Sequence, residues 1–187
     1  YGYSKSLNNK DVMKHLLLYI LIALATFSVH AQTTKKVLFI GNSYTGANDL
    51  PLLINNMAES TGDVLIYDAN IPGGARLMDH AVNPTTLHKI NSDNWDYVVL
   101  QAQSQETALS ETQMETEVYP YAESLSNAIR ENNTCGQPMF YMTWGRENGD
   151  PINCEYLPWM CSYEEMDDVI SATYTSMTES NEAKLAA

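Results

Sequence analysis

Short apolar runs alternate along this chain with longer stretches in which apolar residues recur at helical spacing. Four runs predict strands: Val37-Leu38-Phe39-Ile40, Val64-Leu65-Ile66-Tyr67, Tyr97-Val98-Val99-Leu100 and Met139 to Thr143. The first run is continuous rather than alternating, which is typical of a strand buried on both faces of a parallel sheet. Strands separated by helix-sized segments therefore predict a three-layer α/β/α fold with a parallel sheet.

The helical segments have recognisable starts. Asn48 or Asp49 can cap the first helix, and Ser110 opens a second one. Pro120 either kinks that helix or begins another. A last helix follows Ser162. The apolar positions of the first helix are Leu50, Leu53, Ile54, Met57 and Ala58.

The carboxyl end of the chain falls at an unexpected point of this pattern. Residues 181–187 come directly after the last helix, where such a fold next places a strand. We therefore expect the sequence to be truncated, with the last strand and helix missing. The stretch 78–92 shows no clear periodicity.

The first 31 residues do not resemble domain sequence. Met13-Lys14-His15 is a short basic head, 16–29 is mostly apolar, and small residues occupy the −3 and −1 positions of a cleavage site before Gln32. This predicts a signal peptide preceded by upstream residues 1–12, and an exported domain of residues 32–187, periplasmic or secreted. The apolar run is short for a bilayer, so no stable membrane anchor is expected after cleavage.

Charge narrows the range of partners. The formal net charge is −13, and loss of Lys5, Lys10, Lys14 and Asp11 with the leader makes it −15. Such an acidic chain repels phosphate backbones, so we expect no nucleic-acid partner. No His, Cys or Asp spacing suggests a metal, and no cofactor is expected.

Cysteine usage leaves the disulfide pattern open. An exported protein can form disulfides. Cys154 and Cys161 flank one loop and can pair, which would leave Cys135 odd. The sequence does not settle the pairing.

The loop after the first strand carries the main candidate for chemistry. Gly41 and Gly46 match the glycines of a phosphate loop, but Ala47 and Asn48 replace its lysine and hydroxyl. A plain turn rich in Gly, Asn and Ser is a second reading. The third is a nucleophilic Ser43 at the carboxyl end of a strand, where ligands bind in α/β sheets.

Together with later blocks, this loop resembles the SGNH (GDSL-like) hydrolases, in particular a bacterial exported branch without assigned activity. The first block is Gly41-Asn42-Ser43, with Asn42 where the family usually has aspartate, and the second is Ile71-Pro72-Gly73-Gly74. Counted from Asp96, the third block places Gln103 and Gln105 where the family has glycine and asparagine. The resemblance covers roughly 36–184 and implies a flavodoxin-like sheet.

The resemblance also implies roles for these residues. Ser43 would be the nucleophile. The N–H groups of Ser43 and Gly73, with a side-chain amide from Gln105 or Gln103, would form the oxyanion hole. A glutamine amide can donate the same hydrogen bond as asparagine, although a polar loop without a catalytic part is the alternative for both glutamines.

Other residues near the predicted strand ends are candidates for substrate binding. Trp144 and Arg146 follow the fourth strand and can hold a sugar or a carboxylate, although core packing explains them equally well. We add Asn42 to these substrate-binding candidates.

No residue of the sequence fits the catalytic base. The family places it in an Asp-x-x-His motif near the carboxyl end, and this sequence has none. His15 and His30 lie in the leader, and His80 and His88 are predicted to be structural or surface residues. We expect the base and its orienting acid beyond Ala187, and the sequence as given to be inactive.

The expected activity is that of a serine esterase that removes small acyl groups, such as acetyl, from carbohydrates. The substrate is implied by the resemblance alone. Two alternatives are a non-catalytic carbohydrate-binding or surface protein with the same fold, and an acyltransferase. A downstream Asp-x-x-His block would favour the enzyme.

Overall fold

The computed structural model describes residues 10, 13–16 and 32–187. The chain divides into two units, Tyr1–Gln32 and Thr33–Ala187. In the first unit, residues 10 and 13–16 are helical, and the rest of the predicted signal peptide lies outside the described residues. No helix in the described part of the chain is long and apolar enough to span a bilayer.

The second unit is built on five parallel strands in the order β2-β1-β3-β4-β5. They are β1 (Thr34–Ile40), β2 (Val64–Asn70), β3 (Tyr97–Leu100), β4 (Gln137–Tyr141) and β5 (Lys184–Ala186). The four predicted strands and the parallel sheet are confirmed. The expectation that the last strand is missing was wrong, because β5 pairs with β4. Three residues of mixed polarity are too few to show a strand pattern.

Seven α-helices connect or follow the strands in the described residues. They are α1 (Ser43–Gly46), α2 (Leu50–Ser60), α3 (Leu77–Val82), α4 (Pro84–Asn91), α5 (Glu111–Glu117), α6 (Tyr119–Asn132) and α7 (Tyr163–Ser180). The Asp49 carboxylate caps α2, and the Ser110 and Ser162 hydroxyls cap α5 and α7. Pro120 lies in the first turn of a separate helix, α6. The unpatterned stretch forms α3 and α4, each too short for periodicity to be visible.

The two faces of the sheet are covered unequally. Leu38, Ile40 and Phe140 point into the larger core, where they pack with side chains of α3 to α7. Phe39 and Val99 point to the opposite face and belong to a much smaller cluster, which includes Ile54 of α2. Strand β1 is therefore buried on both faces, as its apolar run predicts.

The apolar stripe of α2 is only partly used. Ile54 packs against the sheet, but Leu53 is 47% exposed and Met57 is 69% exposed. In this structure α2 therefore contributes less to the core than its spacing predicts.

Matched leucine truncations test this difference. Leu38 is 0% exposed, so Leu38→Ala should lower the free energy of unfolding by about 2–5 kcal/mol through a buried cavity. Leu53→Ala removes a half-exposed side chain and should cost less than about 1 kcal/mol. Urea unfolding measures both values. Equal decreases in the free energy of unfolding for the two variants would contradict the exposed position of Leu53 on α2.

Candidate active site

The strand register brings the predicted motifs to one edge of the sheet. Ile40, the last residue of β1, lies opposite Asn70 of β2 and Leu100 of β3. Leu100 in turn lies opposite Phe140 of β4. Because the strands are parallel and end together, the segments that follow them emerge at the same edge. β1 lies between β2 and β3, which is the switch point where α/β sheets bind ligands.

The turn after β1 presents Ser43 as the first residue of α1. Asn42 has an extended backbone, and its Oδ1 accepts a hydrogen bond from the Tyr44 N–H, which caps the helix. The Ser43 side chain is exposed. Neither its hydroxyl nor its N–H has a hydrogen-bond partner among the described residues. A free hydroxyl and a free N–H donor therefore lie together at this edge.

Asn42 joins this turn to its neighbours. It is 2% exposed. Its N–H donates to Gln101 Oε1 at 3.0 Å, and its Nδ2 donates to the Ala75 carbonyl at 3.0 Å. These bonds place the side chain inside the turn, where it orients the residue that follows, Ser43, rather than facing solvent as a substrate contact.

Gln101 is a structural residue that the sequence analysis missed. Its buried Oε1 accepts hydrogen bonds from the Asn42 N–H and from Thr45 Oγ1 at 2.9 Å. A Cβ on Gly41 would lie 2.7 Å from this oxygen and 2.6 Å from Thr45 Oγ1, so the close approach requires glycine. The only sequence signal was a glutamine directly after a buried strand.

The side chain of His80 forms a hydrogen bond with the same turn. It is fully buried, with Nε2 2.9 Å from the Gly41 carbonyl and Nδ1 2.9 Å from Thr86 Oγ1. A carbonyl only accepts, so Nε2 carries the proton and the Thr86 hydroxyl donates to Nδ1. Burial lowers the pKa of His80, which keeps the ring neutral. His80 is structural and His88 is exposed, as predicted.

The Gly73 turn is open to solvent. Gly73 is exposed, and a Cβ there would meet nothing within 4 Å. Its N–H has no acceptor among the described residues. The turn is closed by a hydrogen bond from the Ala75 N–H to the Pro72 carbonyl, and it is tied to the Ser43 turn through the Asn42–Ala75 bond.

The glutamine loop, residues 103–106, holds both predicted glutamines in one network. Gln103 Nε2 donates to Gln105 Oε1 and lies 3.5 Å from Ser104 Oγ, while the Gln105 N–H donates to Gln103 Oε1 at 2.8 Å. Gln105 Nε2 donates to Asp150 Oδ2 at 2.7 Å. An amide has two N–H bonds, so one N–H of Gln105 has no partner among the described residues.

Asp150 is a second residue that the sequence analysis missed. Its buried carboxylate accepts hydrogen bonds from Gln105, from Asn153 Nδ2 at 2.8 Å and from the Ile152 N–H at 3.1 Å. Burial alone would raise the pKa of Asp150. The hydrogen bonds and the Arg146 guanidinium, 3.6 Å away, outweigh burial and hold that pKa below its usual value. The residue therefore stays charged and orients Gln105.

The predicted substrate residues Trp144 and Arg146 contact two different turns at this edge. Trp144 is 48% exposed and stacks on Tyr44, which follows Ser43, with ring centroids 5.3 Å apart. Arg146 donates to Ser104 Oγ at 3.3 Å in the glutamine loop. Trp144 is therefore placed beside the serine turn and Arg146 beside the glutamines. Among the described residues, no hydrogen bond joins the side chains of Gln103 or Gln105 to the serine turn.

A disulfide closes residues 154–161, which follow Asp150 along the chain. Cys154 and Cys161 are paired, and Cys135 is free and exposed.

Among the described residues, no group of three or more His, Cys, Asp or Glu side chains is placed to hold a metal ion.

Glu106 is the third missed residue and has the most perturbed carboxyl group of the site. Its side chain is 0% exposed. It accepts hydrogen bonds from the Gln103 N–H at 2.8 Å and the Leu77 N–H at 3.3 Å, and it lies 3.6 Å from Arg76 Nε. Burial raises the pKa of Glu106 to about 7, against the opposing effect of these donors and the Arg76 charge.

The raised pKa of Glu106 predicts a pH dependence of stability. The pKa is raised on folding from 4.5 to about 7. Its stabilising contribution is thus complete below pH 4.5 and is lost as the pH rises through 7. The free energy of unfolding of the wild type, relative to Glu106→Gln, should fall by roughly 2 kcal/mol between pH 5 and 8.

Chemical unfolding at both pH values measures this change, and Asp150→Asn is the matched control. Because the pKa of Asp150 is lowered by folding, its stabilising effect is lost only as the pH falls toward its folded pKa, below this window. If the difference in free energy of unfolding between the wild type and Glu106→Gln stays constant or grows as the pH rises, the raised pKa of Glu106 is contradicted.

Comparison with known proteins gives matches to solved structures. A scan of protein-family models and a search of curated protein sequences found no match. A DUF4886 family protein from Bacteroides uniformis matches with a TM-score of 0.64 and 19% identity over 81% of this chain and 66% of that chain. Esterase EstA from Pseudoalteromonas sp. matches with a TM-score of 0.53 and 9% identity over 81% of this chain and 76% of that chain.

A phospholipase A1 from Streptomyces albidoflavus also matches, with a TM-score of 0.53 and 12% identity over 82% of this chain and 79% of that chain. At these identities the likeness shows the fold. The chain spans just under two thirds of the DUF4886 protein. The α/β fold that the resemblance to SGNH hydrolases implies is confirmed. The chain has the three-layer α/β/α fold of these proteins.

Proposed function

We propose that this protein is a serine esterase that removes small acyl groups, such as acetyl, from carbohydrates. The observation that carries the proposal is the exposed Ser43 hydroxyl at the switch point of the sheet, next to an N–H group without a partner. The esterases and lipases of the same fold support ester cleavage. The carbohydrate rests on the sequence resemblance and on the exposed Trp144 ring beside the serine turn.

The proposed reaction begins when Ser43 Oγ attacks the ester carbonyl carbon and its proton passes to a general base. The carbonyl oxygen becomes an oxyanion, which the N–H groups of Ser43 and Gly73 would stabilise. The alcohol leaves with a proton, and water then releases the acid from the acyl-serine. Donors that exist before the substrate arrives need no reorganisation during the reaction.

Gln105 is favoured over Gln103 as the side-chain donor of the oxyanion hole. Asp150 holds Gln105 in place and leaves it one free N–H, whereas the Gln103 amide is directed at Gln105 and Ser104. We assign Asn42 a positioning role rather than a substrate contact, because its polar atoms already form hydrogen bonds with neighbouring turn residues.

The general base is proposed to lie outside the described residues. Both ring nitrogens of His80 are occupied, and its proton is committed to the Gly41 carbonyl. His88 is exposed on α4, a helix that precedes β3. The activity test therefore uses the protein expressed from its complete gene.

Serine replacement is the decisive test. Ser43→Ala should lower kcat/KM for p-nitrophenyl acetate and acetylated sugars by at least about 10³-fold, because the nucleophile is lost. Ser60→Ala is the matched control: this exposed serine ends α2, just before the opposite edge of the sheet. Its activity should equal that of the wild type.

Equal turnover by Ser43→Ala and the wild type would refute the esterase and leave the non-catalytic carbohydrate-binding protein. Acyl transfer to a sugar acceptor, in preference to water, would identify the acyltransferase.

A further inference from the structure

A second feature of this edge is a cavity of about 350 Å³, here called the polar cavity. Its wall is formed mainly by Gly74, Arg76, Gln103, Gln105, Glu106 and Glu117. The cavity thus begins one residue after Gly73 and includes both glutamines, so it adjoins the proposed oxyanion donors. Its volume is at the lower end of the roughly 300–1,000 Å³ typical of small-molecule sites.

The wall of the polar cavity is rich in both hydrogen-bond donors and acceptors. Seven of its nine lining residues carry an amide, a carboxylate or a guanidinium, and Leu109 is the one large apolar side chain among them. An acyl chain placed there would leave these groups without partners, which is costly. Hydroxyl groups can both donate and accept. The chemistry of the wall therefore fits a polyhydroxylated ligand.

The charges of the cavity select against anions. Arg76 Nη2 donates to Glu117 Oε2 at 2.8 Å, and Arg76 Nε lies 3.6 Å from Glu106 Oε1. At pH 8, above the pKa of about 7 of Glu106, both acidic side chains are ionised and face a single guanidinium, in a protein with a formal net charge of −13. The arginine is already paired, so a carboxylate or phosphate ligand would meet at least one uncompensated negative charge.

The cavity is also held in shape before any ligand arrives. Glu106 accepts hydrogen bonds from the Gln103 and Leu77 N–H groups and fixes the glutamine loop. Asp150 holds two amides of the wall, those of Gln105 and Asn153. Polar groups that are ordered in advance lower the entropic cost of binding.

We propose that the polar cavity binds an uncharged, hydroxyl-rich sugar ring, with Glu117 and Asn153 among the groups that hydrogen-bond its hydroxyls. The role of the polar cavity as the subsite for the alcohol part of an ester rests on the proposed function. As a sugar-binding site, it does not depend on Ser43.

Binding is measured at pH 8, where Glu106 is ionised, with a Ser43→Ala protein, so that no turnover interferes. The probes are methyl β-glucoside, which is neutral, and methyl β-glucuronide, which differs by one carboxylate. NMR titration should show saturable shifts of Gln105, Asn153 and Glu117 with the glucoside, and at least about fivefold weaker binding of the glucuronide, as expected for one unfavourable contact.

Glu117→Ala tests the charge argument. The Glu117 side chain is 36% exposed, so the fold should survive, as thermal unfolding will verify. Loss of one acceptor should weaken glucoside binding about fivefold. The freed Arg76 should strengthen glucuronide binding and so reverse the preference. Asn91→Ala, in an exposed position on α4, should change neither.

Absence of glucoside binding, glucuronide preference in the wild type, or an equal effect of Glu117→Ala on both probes would overturn the proposal. These results are separable from the esterase test. Sugar binding with full Ser43→Ala turnover would refute the esterase alone. Loss of turnover without sugar binding would refute the sugar subsite alone.

Discussion

The common register of β1, β2 and β3 at their carboxyl ends is the constraint on which this site depends. It makes three turns, far apart in sequence, emerge at one edge. Hydrogen bonds then join them: Asn42 donates to the Gln101 side chain and to the Ala75 carbonyl. A one-residue slip of β1 would reverse its inward and outward side chains and also separate these partners. Core packing and site geometry are therefore set by one alignment.

Around this edge, Asp150, Glu106 and His80 are each buried with hydrogen-bond partners, but the consequences for their charge differ. Asp150 receives several hydrogen bonds and stays charged, so it can orient Gln105. Glu106 is equally buried but accepts only one hydrogen bond shorter than 3.3 Å, and its pKa rises to about 7. His80 is buried as a neutral ring beneath the serine turn. Burial and bond count, rather than residue type, decide which group carries charge.

The same edge also separates two kinds of surface. Near Ser43, the Tyr44–Trp144 stack offers an aromatic face. Beyond Gly74, the polar cavity offers amides and paired charges. An ester has an acyl side and an alcohol side of different polarity, and nearby surfaces of different polarity can distinguish them. This links the proposed esterase chemistry to the proposed preference for an uncharged sugar.

The sequence by itself determined the four longer strands, the capped helix starts and the serine, glycine and glutamine motifs, because periodicity and capping are local properties. It did not show β5, whose three residues form a strand only by pairing with β4. It missed Gln101, Glu106 and Asp150, because their roles come from partners 45 to 59 positions away or from burial. Only the tertiary structure decided that α2 leaves Leu53 exposed, that Cys154 pairs with Cys161, and that Asn42 orients the turn, since each depends on which distant segments meet.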